Sequence, residues 1–200
     1  MATASVLSFI LALTSARQGQ DSVVYVLAPA SRFEVKTGKA GLLGFAGHEH
    51  LIAARAVSGR VVYYPKTPAD SRVEILVPTD SLEVLTPPDT EEIRKVTQAM
   101  RTEVLHADQY PEIRFASTAV TPTASGFHVM GALTLAGQTR DVTVDLAVAI
   151  GADTLRASGT FSVKQTEFGI RPYRGGPGGT VRVADRVTFE IEAVGIAARP

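Results

Sequence analysis

Residues 129–150 constrain the fold more than any other stretch of this sequence. Apolar residues alternate with polar or small ones on both sides of a short interruption, from Val129 to Leu135 and again from Val142 to Ile150. Alternation with a period of two is typical of strands that have one buried and one solvated face. The interruption at 136–141 carries one glycine and four polar residues, which suits a tight antiparallel connection. The stretch therefore predicts a long β-hairpin.

The same alternation recurs along the chain and predicts further strands. These lie at 23–36, with a break at Ala28-Pro29-Ala30, and at 57–64, 73–77, 113–120, 155–163 and 187–191. Between 88 and 105 apolar residues recur at helical spacing instead, which predicts one amphipathic helix over an end of the strands. Many antiparallel strands and one helix predict an all-β fold, either a sandwich or a closed barrel. A closed barrel has no exposed edges and can enclose a cavity.

Composition narrows the classes of function. The 200 residues suit one domain, and Lys plus Arg equals Asp plus Glu at 20 each, so no basic excess favours a nucleic-acid partner. The absence of cysteine excludes disulfides, zinc–thiolate sites and thiol chemistry. No apolar run reaches the roughly 18 residues of a membrane-spanning helix. No catalytic motif is recognisable, which favours a protein that is not an enzyme, and nothing predicts an oligomeric state.

The first 20 residues have the features of a targeting segment. An apolar run at 6–13 is followed by the small residues Thr14, Ser15 and Ala16, as at a signal-peptide cleavage site. The alternative is a disordered N-terminus, because no Lys or Arg precedes the run. We therefore expect a signal peptide at 1–20, a barrel domain at 21–196 and a tail at 197–200. Export would place the protein in the periplasm or outside the cell; otherwise it is cytoplasmic.

One motif in the hairpin carries a family resemblance. The sequence Gly-x-Leu-Thr-Leu-x-Gly-x-Thr-Arg-x-Val at 131–142 resembles the hairpin signature of the YceI-like family. Stretches at 25–35, 105–115 and 167–170 are similar to the family in the same order, while Gly-His-Glu-His at 47–50 is a variant within it. The resemblance implies a lipocalin-like closed antiparallel barrel that binds polyisoprenoid or other long apolar chains.

The strand alternation also predicts which side chains would form the wall of a cavity. A ligand CH₂ group moved from water to such a wall gains about 0.8 kcal/mol, so an isoprenoid tail would bind without catalytic machinery. The small residues Gly59, Gly131, Ala157 and Gly159 share the inward parity and would leave space. Alternatively, the apolar face is a filled core and the glycines only allow bending. The predicted apolar wall comprises Phe33, Val35, Val61, Ile75, Phe115, Leu133, Leu135, Val144, Leu146, Phe161, Phe189 and Ile191.

Two histidines suggest a second hypothesis, a metal- or haem-dependent protein. On an extended backbone His48 and His50 share a face, and paired imidazoles can ligate a metal or haem iron. A catalytic zinc site needs three protein ligands, and His106 and His128 are candidates for the third only by residue type. The alternative is that both histidines bind loop backbone and shape the rim of the cavity.

Three arginines are candidates for binding the head group of a lipid. Arg140 lies in the hairpin, and Arg171 and Arg174 lie in the Gly- and Pro-rich stretch 168–179. A guanidinium group suits a phosphate or carboxylate because its N–H donors match the geometry of these anions. The alternative is that each arginine is a solvated loop charge.

Overall fold

The computed structural model describes residues 22–40, 49–85, 90–175 and 181–198. One α-helix, α1 (Thr90–Ala99), runs directly into a π-helical turn (Met100–Val104). No helix in these ranges is long and apolar enough to cross a bilayer. The strands in the same ranges are β1 Val23–Leu27, β2 Arg32–Ala40, β3 Leu51–Ala54, β4 Ser58–Tyr63, β5 Arg72–Pro78, β6 Leu82–Val84, β7 Glu112–Pro122, β8 Gly126–Leu135, β9 Gln138–Ile150, β10 Thr154–Lys164, β11 Arg174–Gly175 and β12 Val181–Ala197.

The strands form a closed antiparallel barrel, which confirms the barrel over the sandwich. Its eight strands follow the order β1-β4-β5-β7-β8-β9-β10-β12, and β12 pairs back onto β1, with Tyr25 opposite Ala197. Beyond this ring, β12 also pairs with β2, and β3 and β6 continue the sheet from there. The long β12 therefore belongs both to the closed ring and to a short extension that ends at β6.

The connection between β8 and β9 is shorter than the sequence predicts. It consists only of Ala136 and Gly137, with φ of 46° and 71°, and two positive φ values are typical of a type I′ hairpin turn. The expected break at 136–141 was wrong for its last four residues, since Gln138 to Asp141 pair with β8 as part of β9. These residues interrupt the apolar pattern because they are exposed on both faces at the end of the hairpin.

The predicted helix is present and protects the edge of the sheet. The side-chain oxygen of Thr97 accepts a hydrogen bond from the backbone N–H of Val84 at 3.1 Å. Nε of Arg101 donates to the backbone oxygen of Leu82 at 2.9 Å. The helix thus forms hydrogen bonds with backbone groups of β6. In an exposed edge strand these groups would be unpaired and could bind another chain. Its π-helical turn then contributes side chains to the interior of the barrel.

The most tightly packed part of the core lies beside this helix. Val84 and Phe168 are each 1% exposed, and Met100 and Leu105 pack in the same cluster. Phe168 belongs to a 3₁₀ helix, Gln165–Phe168, although the sequence analysis interpreted residues from 168 onward as a loop. Gly169, with φ of 73°, ends this helix in the left-handed conformation that glycine adopts at low cost.

Candidate functional site

A cavity of about 240 Å³ extends through the barrel, and its wall is almost entirely apolar. Each of the twelve apolar residues that the alternation assigned to the inner face contributes to this wall, from Phe33 in β2 to Ile191 in β12. Ala157 contributes as well. The cavity follows from the parity of the strands, because every second side chain of a barrel strand points inward.

The wall also contains residues that the sequence analysis did not name. They form two groups. The first group lies at the inward parity of the strands, so the alternation could have predicted it, and the second comes from the helical turn or from a strand end. In the second group, Met100, Val104 and Leu105 lie at or just after the π-helical turn. The first group includes Leu27, Val73, Val77, Val129, Val148 and Leu155.

The three inward glycines do not leave open space for a ligand. A Cβ on Gly59 would lie 2.8 Å from Cδ1 of Ile75, and one on Gly159 would lie 2.8 Å from Cδ2 of Leu146. These distances are far below ordinary carbon–carbon contact. The space beside these two glycines is therefore taken by neighbouring wall side chains and by the backbone oxygens of Glu74 and Asp145, each 2.5 Å from the Cβ position. A role of the glycines in ligand binding stays a prediction.

Two pairs of aromatic rings lie on the wall. Phe161 and Phe189 are stacked across β10 and β12, with ring centroids 4.7 Å apart and ring planes 7° apart. Tyr63 and Phe127 meet edge to face at 6.3 Å. Aromatic pairs in these arrangements stabilise a structure beyond the area they bury, so they hold the shape of the wall.

The buried polar residues of the wall have hydrogen-bond partners. Thr37 accepts a hydrogen bond from the backbone N–H of His50 at 3.0 Å, and Ser71 accepts one from the N–H of Tyr64 at 3.2 Å. The side-chain amide nitrogen of Gln165 donates to a backbone oxygen, that of Ala184, at 2.8 Å. Such bonds offset the cost of burying polar groups, so these residues fit an otherwise apolar wall.

Charged residues of the wall carry their charges toward solvent. The guanidinium of Arg114 pairs with Glu112, and Nζ of Lys36 lies 2.6 Å from a carboxylate oxygen of Glu190. That hydrogen bond raises the pKa of Lys36. Glu34 has the same parity on β2 as Lys36, opposite to that of the inward residues. Among the described residues, the wall therefore presents no cationic side chain to the cavity.

A bulge in β12 fixes one end of the wall. Two paired positions, Val183 and Val187, are separated by four residues on β12 but by only two on β2. Within the bulge, Asp185 accepts hydrogen bonds from the backbone N–H of Thr166 at 2.9 Å and from its hydroxyl at 2.8 Å. The hydrogen bond from the N–H of Thr166 is the main reason that the pKa of Asp185 is lowered. The bulge thus anchors the 3₁₀ helix that begins at Gln165.

The three predicted head-group arginines lie outside the cavity wall. Arg140, Arg171 and Arg174 are all exposed. Arg140 donates to the backbone oxygen of Thr139 at 2.7 Å, and Arg174 lies opposite Arg182 where β11 pairs with β12. The structure therefore gives these residues no contact with the cavity, and the alternative of solvated charges describes their surroundings.

The histidine hypothesis stays a prediction. His48 lies outside the described residues, and the backbone of His50 pairs with Thr37 in both directions. Of the candidate third ligands, His106 is exposed, and Nδ1 of His128 lies 2.6 Å from Oδ1 of Asp145. No group of three or more His, Cys, Asp or Glu suited to a metal occurs within the described ranges.

Comparisons with known proteins agree with this architecture. The UPF0312 protein YE1254 of Yersinia enterocolitica is 31% identical over 87 residues, which is 44% of this chain and 42% of that protein. Matched to this chain, BcnA of Burkholderia cenocepacia has a TM-score of 0.64 at 22% identity, over 82% of this chain and 95% of BcnA.

Two further solved structures share the fold. A polyisoprenoid binding domain from Saccharophagus degradans, implicated in plant cell wall breakdown, has a TM-score of 0.59 at 12% identity, over 88% of this chain and 98% of that one. The YCEI protein of Campylobacter jejuni has a TM-score of 0.57 at 15% identity, over 74% and 85%. The sequence model of the YceI-like domain matches residues 29–195. This chain belongs to the YceI-like family.

Proposed function

We propose that the protein binds an amphipathic isoprenoid or another long-chain lipid inside the barrel and acts as its carrier. The observation that carries this proposal is the cavity of about 240 Å³ inside the barrel, with an almost entirely apolar wall. The polyisoprenoid binding domain of Saccharophagus degradans, which shares the fold, supports the choice of an isoprenoid. With the predicted signal peptide at 1–20, the carrier would act in the periplasm or outside the cell.

The energetics favour binding without any chemical step. Each CH₂ group that enters an apolar cavity gains about 0.8 kcal/mol, so a few such groups provide substantial affinity. The cavity volume of about 240 Å³ lies below the roughly 300–1,000 Å³ of sites for drug-sized ligands, so a long chain would bury only part of its length there and extend through the open side. We therefore assign binding rather than catalysis to this site.

The proposal is tested by asking which lipids the purified protein contains and takes up. Native mass spectrometry of the freshly purified protein should show a co-purified lipid. After delipidation, the folded protein should take up the C20 alcohol geranylgeraniol. If the delipidated protein keeps its circular dichroism spectrum and takes up neither prenyl nor acyl probes, the proposal is wrong.

A matched pair of variants separates cavity binding from surface adsorption. Leu133 is 4% exposed and lines the cavity, so Leu133→Trp places a bulky indole ring on the wall. Met130→Trp places the same ring on the outside of the same strand, where Met130 is 44% exposed. We expect uptake to fall at least tenfold in the first variant and to stay unchanged in the second. Equal uptake by both would place the lipid on the surface.

A further inference from the structure

One side chain on the cavity wall has an unused hydrogen-bond acceptor. Gln165 is 9% exposed, and its amide nitrogen donates to the backbone oxygen of Ala184 at 2.8 Å. A backbone oxygen only accepts, so the atom that faces Ala184 must be the nitrogen of the amide. The amide oxygen of Gln165 is consequently the atom left for another partner.

This oxygen has access to open space. No fully buried side-chain oxygen or nitrogen in the described part of the chain lacks a hydrogen bond. The hydrogen bonds of the described residues include none donated to the amide oxygen of Gln165, so this oxygen keeps accessible surface. Gln165 lines the cavity, and the β12 bulge fixes its backbone through Asp185 and Thr166. The acceptor is therefore held in a fixed position on a wall that is almost entirely apolar.

A complementary donor lies on the other side of β12. Thr37 is 7% exposed, lines the same cavity and pairs with Val187, which in turn pairs with Val163 two residues before Gln165. The hydroxyl oxygen of Thr37 accepts the N–H of His50, so its proton remains available for donation. Gln165 and Thr37 thus both line the cavity, and the backbone pairing through β12 places them on either side of this strand, near the bulge.

We propose that Gln165 and Thr37 form a subsite for an uncharged, hydroxyl-bearing lipid head group. The ligand hydroxyl donates to the amide oxygen of Gln165 and accepts the proton of Thr37, since a hydroxyl group does both. This inference rests on the proposed function and adds the chemical class of the ligand to it. A prenyl alcohol fits the subsite, because its chain would meet a wall that is almost entirely apolar beyond the hydroxyl.

The charge of the wall favours a neutral head group over an anionic one. The described wall residues present no cation to the cavity, and the charges of Arg114 and Glu190 are paired on the outer side. Burying an ionised phosphate without a partner is costly, and the free oxygen of Gln165 would repel it. A prenyl diphosphate is thus predicted to bind this subsite more weakly than the alcohol.

The test compares three C20 ligands: geranylgeraniol, the matching hydrocarbon without the hydroxyl, and geranylgeranyl diphosphate. Wild-type protein should bind the alcohol about fivefold to thirtyfold more tightly than the hydrocarbon, as expected for one or two net hydrogen bonds. Gln165→Met should remove most of this preference, so that the alcohol and the hydrocarbon bind with similar affinity. The matched control Gln138→Met alters an exposed residue at the hairpin end and should preserve the preference.

The outcomes separate this inference from the proposed function. If folded wild-type protein binds alcohol and hydrocarbon equally, or the diphosphate most tightly, the subsite is wrong while lipid binding stands. If Gln165→Met weakens the binding of the alcohol and of the hydrocarbon equally, Gln165 only supports packing of the wall, which also overturns the inference. Should that variant fail to fold, the wild-type comparison decides. If folded wild-type protein binds none of the three, the inference is overturned, and if it takes up no acyl probe either, the proposed function fails as well.

Discussion

The ring of Phe115 lies over Gly131 on the neighbouring strand, so closely that a Cβ on Gly131 would lie 2.5 Å from Cε2 of the ring. The same Cβ would lie 2.7 Å from the backbone oxygen of Ala116. A side chain at Gly131 and the ring of Phe115 therefore compete for one volume of the barrel interior. The glycine determines where an aromatic part of the cavity wall can sit.

Gly131→Ala should destabilise the fold by about 1–3 kcal/mol, the usual cost of overpacking a filled interior. The added methyl group meets a backbone oxygen as well as the ring, so rotation of Phe115 alone cannot relieve the overlap. Urea unfolding followed by circular dichroism measures the change. Gly151→Ala is the matched control, because its Cβ would lie 3.5 Å from the nearest backbone oxygen, that of Thr154. Equal stability of the two variants would contradict the contact.

Thr97→Val should show how much the helix contributes to protection of β6. The substitution removes the acceptor of the Val84 N–H, and a buried donor left without a partner costs about 1–3 kcal/mol. Thr102→Val makes the same change at an exposed hydroxyl that bonds only to Gln98 within the helix. We expect the control to change the free energy of unfolding by less than about 0.5 kcal/mol. Similar losses in both would refute the assigned role of Thr97.

Asp185 should contribute stability that depends on pH. Its pKa in the folded protein is lowered, chiefly by the hydrogen bond from the backbone N–H of Thr166. The stabilisation is therefore fully present above the unfolded pKa of about 3.9 and is lost as the pH falls through the lower folded value. Because Asp185 is only partly buried, we expect about 0.5–1 kcal/mol.

Unfolding of wild type and Asp185→Asn at pH 7 and near pH 2.5 checks this sign. The two proteins should differ at neutral pH and converge in acid. Asp141→Asn, on the exposed end of β9, is the control for a general effect of removing one negative charge. A difference between wild type and Asp185→Asn that grows in acid would contradict the assignment.

Phe161→Ala should both enlarge the cavity and lower the free energy of unfolding. Loss of the ring that stacks on Phe189 at 4.7 Å is expected to cost about 3–5 kcal/mol. Saturation with an apolar ligand should recover part of this loss, since a ligand that binds only the folded state stabilises it. Tyr173→Ala, at a ring that is 38% exposed, serves as the control. Thermal unfolding with and without geranylgeraniol measures both effects.

The sequence predicted the wall of the barrel better than its connections. Side chains alternate between the two faces of a strand whatever its neighbours are. Residues such as Leu133 and Phe189 could therefore be assigned to the inner face without knowledge of the strand order. The predicted hairpin turn was too long, because the exposed residues of β9, such as Thr139, are of types that are also common in loops. The short strands β3 and β6 were missed because three or four residues are too few to show alternation.

The polar part of the site could not be predicted for a different reason. Gln165 follows β10 directly, at the parity of its inward residues, but a polar residue at the end of a strand is also typical of a loop that leaves the wall. Its position depends on the bulge in β12, where Ala184 accepts its amide nitrogen and Asp185 holds the next residue. Such contacts join segments 19 residues apart, and no local pattern of residues encodes them.

The most direct test of the lipid-carrier account is a crystal structure of delipidated protein soaked with a bromine-labelled prenyl alcohol. The anomalous signal of bromine reports the position of the chain without any assumption about its contacts. The account predicts a single strong peak inside the barrel, among wall residues such as Phe161, Phe189 and Leu146. Bromine found only on the outer surface, with the interior closed around unchanged side chains, would contradict it.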